Sequence, residues 1–216
     1  MIKEIIAQEN KEAKQNTMEK LEKFKSEDGT SFSEAKAFAD NLFKGESDGF
    51  YTDYIDRYNQ TPKNGEFGSW DGDRGESKFT PSAETEKGRA GIEKLAEYGM
   101  DGIEYKNCEP DYSRCSEGTV RIDNMTEFRA SNFAQADEKL AEQWNAKSKD
   151  GRTDWSAEDV DKWRHESKLS WHECCDTQTM HLVSRDIHGA DTSVFTHSGG
   201  VAECKARDNI GGGFDE

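Results

Sequence analysis

The sequence predicts an α+β fold: a mostly helical N-terminal part with short strands, then a C-terminal unit of two strands and a helix. Three observations carry this prediction. Apolar residues recur at helical spacing behind capping signals through much of the chain. Near the end, Leu169–Glu173 and residues 179–183 read as two strands, with a turn at 174–177 between them. Four of the five histidines then fall between His172 and His197, interleaved with Glu173, Asp176 and Asp186.

The elements follow in order. Residues 2–26 are rich in Glu, Lys, Ala and Gln, and Ile2, Ile5, Ile6, Met18, Leu21 and Phe24 form a broken helical stripe. This is a surface helix or an extended arm, ended by Asp28-Gly29. Ser31-Phe32-Ser33-Glu34 has the form of a capping box and leads into a helix burying Ala35, Phe38, Ala39, Leu42 and Phe43. Residues 1–44 are therefore expected as a helical arm, and 45–216 as the main domain. Residues 45–81, rich in Gly, Asp and Tyr and broken by Pro62 and Pro81, read as irregular apart from a short helix at 51–58. The glycine-punctuated run 68–79 lacks the flanks and the Gly-Lys-Ser/Thr of a phosphate-binding loop. A helix is expected at 83–98, with Ile92, Leu95, Ala96 and Tyr98 inward and Gly99 as its C-cap.

Short strands are predicted at 102–106 and 119–122. Asn124 or Thr126 then caps a helix to about Trp144, whose packed face is Phe128, Phe133, Ala134, Ala136, Leu140 and Trp144. Lys149-Asp150-Gly151 makes a turn, and Ser156-Ala157-Glu158-Asp159 caps a helix carrying Val160 and Trp163. After the two strands, Ser184-Arg185-Asp186 begins a helical turn that carries His188. Thr196-His197-Ser198-Gly199-Gly200 leads into a last helix through Ala202 and Cys204.

Composition bounds the function classes. The chain is only 32% hydrophobic, but 10% of it is aromatic, so Trp, Phe and Tyr can supply a core. A net charge of −16, taken alone, argues against nucleic acid as a partner, and no run of Lys and Arg is present. The acidity reads as solubility, or as local charge that a bound cation reverses. Five cysteines, an odd number, fit a reducing compartment better than a disulfide framework. Cys108 and Cys115 form no Cys-x-x-Cys, and adjacent Cys174 and Cys175 do not suit a chelate. No stretch is long and apolar enough to span a membrane, and the first residues lack the pattern of a signal peptide. The expected location is cytoplasmic or, if the protein is exported, one reached by a route that uses no signal peptide.

The histidine-rich segment concentrates the chemistry. Imidazole titrates near neutral pH and suits a general base, while His and carboxylate ligands suit a divalent cation that offsets charge building on a phosphate. His172 and Glu173 are neighbours on a strand, so they face opposite sides unless the strand ends there.

Leu169-Ser170-Trp171-His172-Glu173, then Asp176, Thr179-Met180-His181-Leu182-Val183, Ile187-His188 and His197-Ser198-Gly199-Gly200-Val201 together resemble the HNH/endonuclease VII (His-Me finger) superfamily. The resemblance is closest to the Trp-His-His and Trp-His-Glu nuclease modules at the C-termini of bacterial polymorphic toxins. It covers about residues 169–204. Segments 72–79, 102–105, 110–111 and 132–137 also look like stretches that precede such sites.

The resemblance implies a ββα-metal core at about 168–207 and a metal-dependent endonuclease acting on DNA ahead of RNA. It also implies a divalent cation (Mg, Mn, Zn or Ni) and an immunity protein as partner; an acidic inhibitor is disfavoured by like charge. His188 and His197 match metal-binding positions. Where Trp-His-His members carry their second histidine as base, this chain has Glu173. On chemistry we expect His172 as base and Glu173 as ligand or orienting carboxylate. His181 stands where Gln is common and is expected to contact substrate with Arg74, Lys78 and Arg185. Arg121, Arg129, Lys205 and Arg207 are available to the same local cationic face. Trp171 is expected to brace the strand from the core. The alternative is a non-enzymatic protein-binding module with a structural metal.

Overall fold

The computed structural model describes residues 49–211. The expected arm at 2–26, the capping box at 31–34 and the helix at 35–43 lie outside them. The described part is α+β, as the periodicities predict. Its helices are α1 (Tyr54–Gln60), α2 (Glu86–Ala96), α3 (Arg129–Ala146), α4 (Ala157–Glu166), α5 (Arg185–His188) and α6 (Gly200–Gly211). Its strands are β1 (Gly68–Trp70), β2 (Lys78–Pro81), β3 (Ile103–Lys106), β4 (Glu109–Pro110), β5 (Ser116–Arg121), β6 (Leu169–Glu173) and β7 (Thr179–Ser184).

Two antiparallel sheets form, in the orders β1-β2-β3-β4 and β5-β7-β6. The first corrects the reading of 45–81 as irregular. β1 and β2 have three and four residues, and Gly68 pairs with Pro81 at their open end. Strands this short, bounded by Gly and Pro, leave too few alternations to register. What fixes them is Trp70 opposite Phe79: their rings meet at 5.2 Å and the indole N–H donates to the Pro62 carbonyl at 2.9 Å.

α1 starts at Tyr54, behind an Asp53 cap whose carboxylate accepts from the Ile55 N–H at 2.9 Å. The expected start at 51 fails because the Tyr51 and Thr52 amides donate to buried Glu203 on α6. α2 is capped by Thr85 and ends at Ala96 with Glu97 as its C-cap rather than the expected Gly99; Gly99 follows with a φ of 66°, and Met100 N–H reaches the Leu95 carbonyl at 3.0 Å. Its inward face is Gly88, Gly91 and Leu95, and Ala96 points to solvent rather than inward.

α3 corrects the predicted face as well. It begins at Arg129 with Phe128 as an N-cap that makes no side-chain bond, so neither Asn124 nor Thr126 caps it. Asn132, Ala136 and Leu140 face inward, and Ala134, two residues from each of the first pair, falls on the opposite side. Phe128 has extended backbone and leaves the helical face; it is 66% exposed. The capping box before α4 forms as its sequence predicts, with Ser156 and Asp159 each bonded to the other's backbone N–H.

Two apolar clusters result. One lies between the β5-β7-β6 sheet and helices α3, α4 and α6, with Leu140, Trp144, Val160, Trp171, Met180 and Leu182 buried in it. The other joins the first sheet to α2, α5 and the segment after α5 through Phe79, Leu95, Ile103, Tyr112, Ile187 and Phe195. Trp171 sits behind the histidine strand and is 1% exposed; its indole N–H donates to Asp137 at 2.8 Å, and Asp137 also holds buried Arg164. Among the described residues no helix is long and apolar enough to cross a membrane.

Candidate metal centre

β6 and β7 form a hairpin in which His172 pairs with His181 and Glu173 with Met180. Alternation along β6 sends Trp171 and Glu173 to the α3 side and His172 to the other. There the His172 Nδ1 lies 3.3 Å from His188 Nε2 and 3.2 Å from His197 Nε2.

Local structure explains how three separate segments converge. His188 ends the one-turn helix α5, which Ser184 starts by accepting from the Asp186 N–H. Buried Ile187 anchors that turn, and its carbonyl accepts from the Ser193 hydroxyl. His197 lies on the segment leading to α6, which Tyr112 and Tyr105 hold by donating to the Phe195 and Thr196 carbonyls at 3.3 and 3.2 Å. The Tyr112 ring packs against all three imidazoles, with centroids 4.8, 5.3 and 5.8 Å away. Gly199 and Gly200 let the chain pass the strand end. A Cβ on Gly200 would lie 2.5 Å from Met125 Sδ and 2.6 Å from the Cys174 carbonyl. The requirement there is close approach rather than a left-handed turn.

The donor set fits a divalent cation. Nitrogens bound tetrahedrally at about 2.0–2.1 Å stand roughly 3.3 Å apart, close to the separations here. The His197 Nδ1 faces the Phe195 carbonyl at 3.0 Å. A carbonyl only accepts, so Nδ1 carries the proton and Nε2 presents its lone pair. Burial, then the neighbouring imidazoles, lowers His172 well below the usual histidine range. Burial also lowers His188 and His197, the latter to about 4. All three are thus neutral near pH 7. A proton between the His172 Nδ1 and its two neighbours satisfies one of the two contacts, whereas a cation satisfies all three nitrogens. His172 Nε2 and His188 Nδ1 are buried without a hydrogen-bond partner among the described residues.

Glu173 does not join the three histidines. Its carboxylate is 5% exposed, accepts from Asn132 Nδ2 at 2.8 Å and faces Arg129 Nε at 3.3 Å. Burial raises its pKa, and Asn132 and Arg129 oppose that rise. Arg129 links the two sides of the strand, because its charge also helps lower all three imidazoles. A second possible ligand group, Glu109, His172 and Cys174, shares His172 with the first. Glu109 is already engaged by the Cys175 N–H at 2.6 Å.

The other expected residues divide. His181 stands beside His172, its ring parallel at 6.4 Å and its Nδ1 2.9 Å from Thr119 Oγ1. Arg74 donates to Thr61 and Tyr58, Lys78 pairs with Asp101 at 3.0 Å, and Arg185 donates to the Leu169 carbonyl at 3.3 Å. None of these three is brought to the histidine cluster by its bonds. Sequence reasoning did not single out Tyr112 or Asn132, and gave Arg129 no more weight than other cations. Asn132 lies in the 132–137 segment noted for its resemblance, but nothing local marks it as the partner of Glu173.

Residues 102–199 match the family model described as the DNase/tRNase domain of colicin-like bacteriocin. The match runs from the start of β3 to the glycine before α6 and contains His172, His188 and His197. It supports a nuclease module of the kind found in bacterial toxins for this segment. A search of curated proteins finds no match to the chain.

Proposed function

With a colicin-type nuclease module as the premise, we propose that this chain is a metal-dependent endonuclease whose divalent cation is held by His172, His188 and His197. The convergence of three imidazole nitrogens, two pairs of them at 3.2–3.3 Å, carries this reading. When bound, the cation would offset charge on the phosphate and the departing oxygen.

The roles first expected for His172 and Glu173 are exchanged in this proposal. His172 points its Nδ1 at the other two histidines and is spent as a ligand. Glu173, the last residue of β6 and linked to the histidine side through Arg129, then takes the proton. Its carboxylate is fixed by Asn132, and burial raises its basicity. A water oxygen bonds to phosphorus as its proton passes to Glu173, and the P–O bond to the leaving nucleotide oxygen breaks. Arg129, 67% exposed at the side chain and held beside Glu173, binds the phosphate. Residues 45–216 are the nuclease domain, DNA is the substrate ahead of RNA, and an immunity protein neutralises the module.

The test is incubation of the purified chain with plasmid DNA and with total RNA, with Mg²⁺, Mn²⁺, Zn²⁺ or Ni²⁺ and with EDTA. Metal-dependent cleavage abolished by His197→Ala is expected. No cleavage with any metal, or cleavage untouched by that substitution, removes the reading. A binding module with a structural metal is the second reading, favoured by the Glu109, His172 and Cys174 group.

A further inference from the structure

Among the described residues Phe128 is the most exposed large hydrophobic side chain, at 66%. Its place is unusual. It occupies the N-cap of an 18-residue helix, where Ser, Thr, Asp or Asn would bond a free N–H, and it makes no such bond. The first turn has no acidic residue and starts instead with Arg129, a cation where the helix dipole disfavours one. Both choices work against helix stability, and both side chains are left in solvent.

The segment itself is held firmly. Phe128 N–H donates to Thr126 Oγ1 at 3.2 Å, and Thr126 N–H donates to Asn132 Oδ1 at 2.9 Å. Asn132 in turn donates to Glu173 at 2.8 Å, and Arg129 faces the same carboxylate at 3.3 Å. The Phe128 backbone is therefore held one residue from the cation that adjoins the site, and its ring is presented to solvent there.

We propose that Phe128 stacks on the nucleobase beside the scissile phosphate while Arg129 engages that phosphate, so that the module acts preferentially on single-stranded nucleic acid. This rests on the nuclease reading above. A ring can cover a base face only if that face is free of its neighbour in the strand, which a single strand supplies and a stacked duplex does not. Stacking tolerates any base, because each has a π-face, so Phe128 sets strandedness and not sequence. Two residues then do what a broad basic groove does elsewhere, in keeping with a chain of net charge −16.

The experiment compares the full-length chain with its Phe128→Ala, Phe128→Leu and Phe128→Trp variants. The substrates are a single-stranded oligonucleotide and its duplex, under the metal that supports plasmid cleavage. The expected result is a wild-type preference for the single strand. Phe128→Ala and Phe128→Leu raise KM for it about tenfold with little change in kcat, and Phe128→Trp keeps it near wild type. Because Leu fails where Trp succeeds, loss of general apolar packing is separated from loss of stacking. Equal KM values across the variants, or a wild-type preference for duplex, overturn the proposal. If the wild type cleaves and the variants match it, this inference fails alone; if the wild type cleaves nothing, the nuclease reading fails first.

Discussion

Substituting Asp137 by Ala removes the brace behind the histidine strand. Its carboxylate is 3% exposed and accepts from Arg164 Nε at 3.0 and 3.2 Å and from the Trp171 indole at 2.8 Å. Losing one member of a buried ion pair costs about 3–5 kcal/mol, because the other charge is left in a poor solvent. An orphaned indole N–H adds about 1–3 kcal/mol. Two facts hold the sum down. Arg164 also donates to Asp161, which is half exposed, so its charge stays partly compensated. The two losses share one site and do not add. We expect a net destabilisation of about 3–5 kcal/mol, a large share of the ~5–15 kcal/mol typical of a folded domain. Asp161→Ala, at the solvent end of the same network, should cost at most about 1 kcal/mol. Urea unfolding followed by tryptophan fluorescence gives both values. Equal costs for the two variants, or a loss under 1 kcal/mol for Asp137→Ala, would refute the argument that the buried carboxylate holds Arg164 and Trp171 together.

Other consequences are measurable in the same way. Burial lowers His197 from 6.5 to about 4, so the unfolded chain binds its proton first as pH falls. In metal-free protein this stability is present above pH 6.5 and is lost between about pH 6.5 and 4, to a limit of about 3 kcal/mol. Urea midpoints in EDTA across that range should fall in the wild type and fall less steeply in His197→Gln, where buried His172 and His188 still contribute; a flat wild-type profile contradicts the burial. Metal at a hundredfold excess over its Kd should stabilise the wild type by about 2.7 kcal/mol, and His188→Ala should lose that gain. Ser156→Ala should cost about 1 kcal/mol through the capping box of α4 and leave metal binding unchanged.

Much of the C-terminal fold was legible because its signals are local. The strand 169–173, the turn after it, the short helix carrying His188 and the Ser156 cap all rest on residues a few positions apart. What escaped is set by distant partners. Phe128 looks like the first residue of an apolar face, but Asn132 is drawn inward by Glu173, forty-one positions away, and the chain turns Phe128 out at the helix start. Strands β1 and β2 exist because Trp70 and Phe79 need one core, which no alternation of three or four residues announces. The crowding of histidines pointed to the candidate site, and the structure gathers His172, His188 and His197. The division of β6 into a histidine face and a glutamate face follows from strand geometry, since the strand runs on through Glu173 and does not end in time to turn both residues one way. Long cations such as Arg74, Lys78, Arg185 and Arg129 are indistinguishable in a sequence. Only their partners show that Arg129 adjoins the site while Lys78 is engaged by Asp101.

X-ray absorption on the zinc-loaded full-length chain tests the central claim most directly. The account predicts three imidazole nitrogens at about 2.0–2.1 Å, no sulfur ligand, and a nitrogen count that drops with His188→Ala. A sulfur at about 2.3 Å would instead place the metal on the Glu109, His172 and Cys174 group and contradict the three-histidine site.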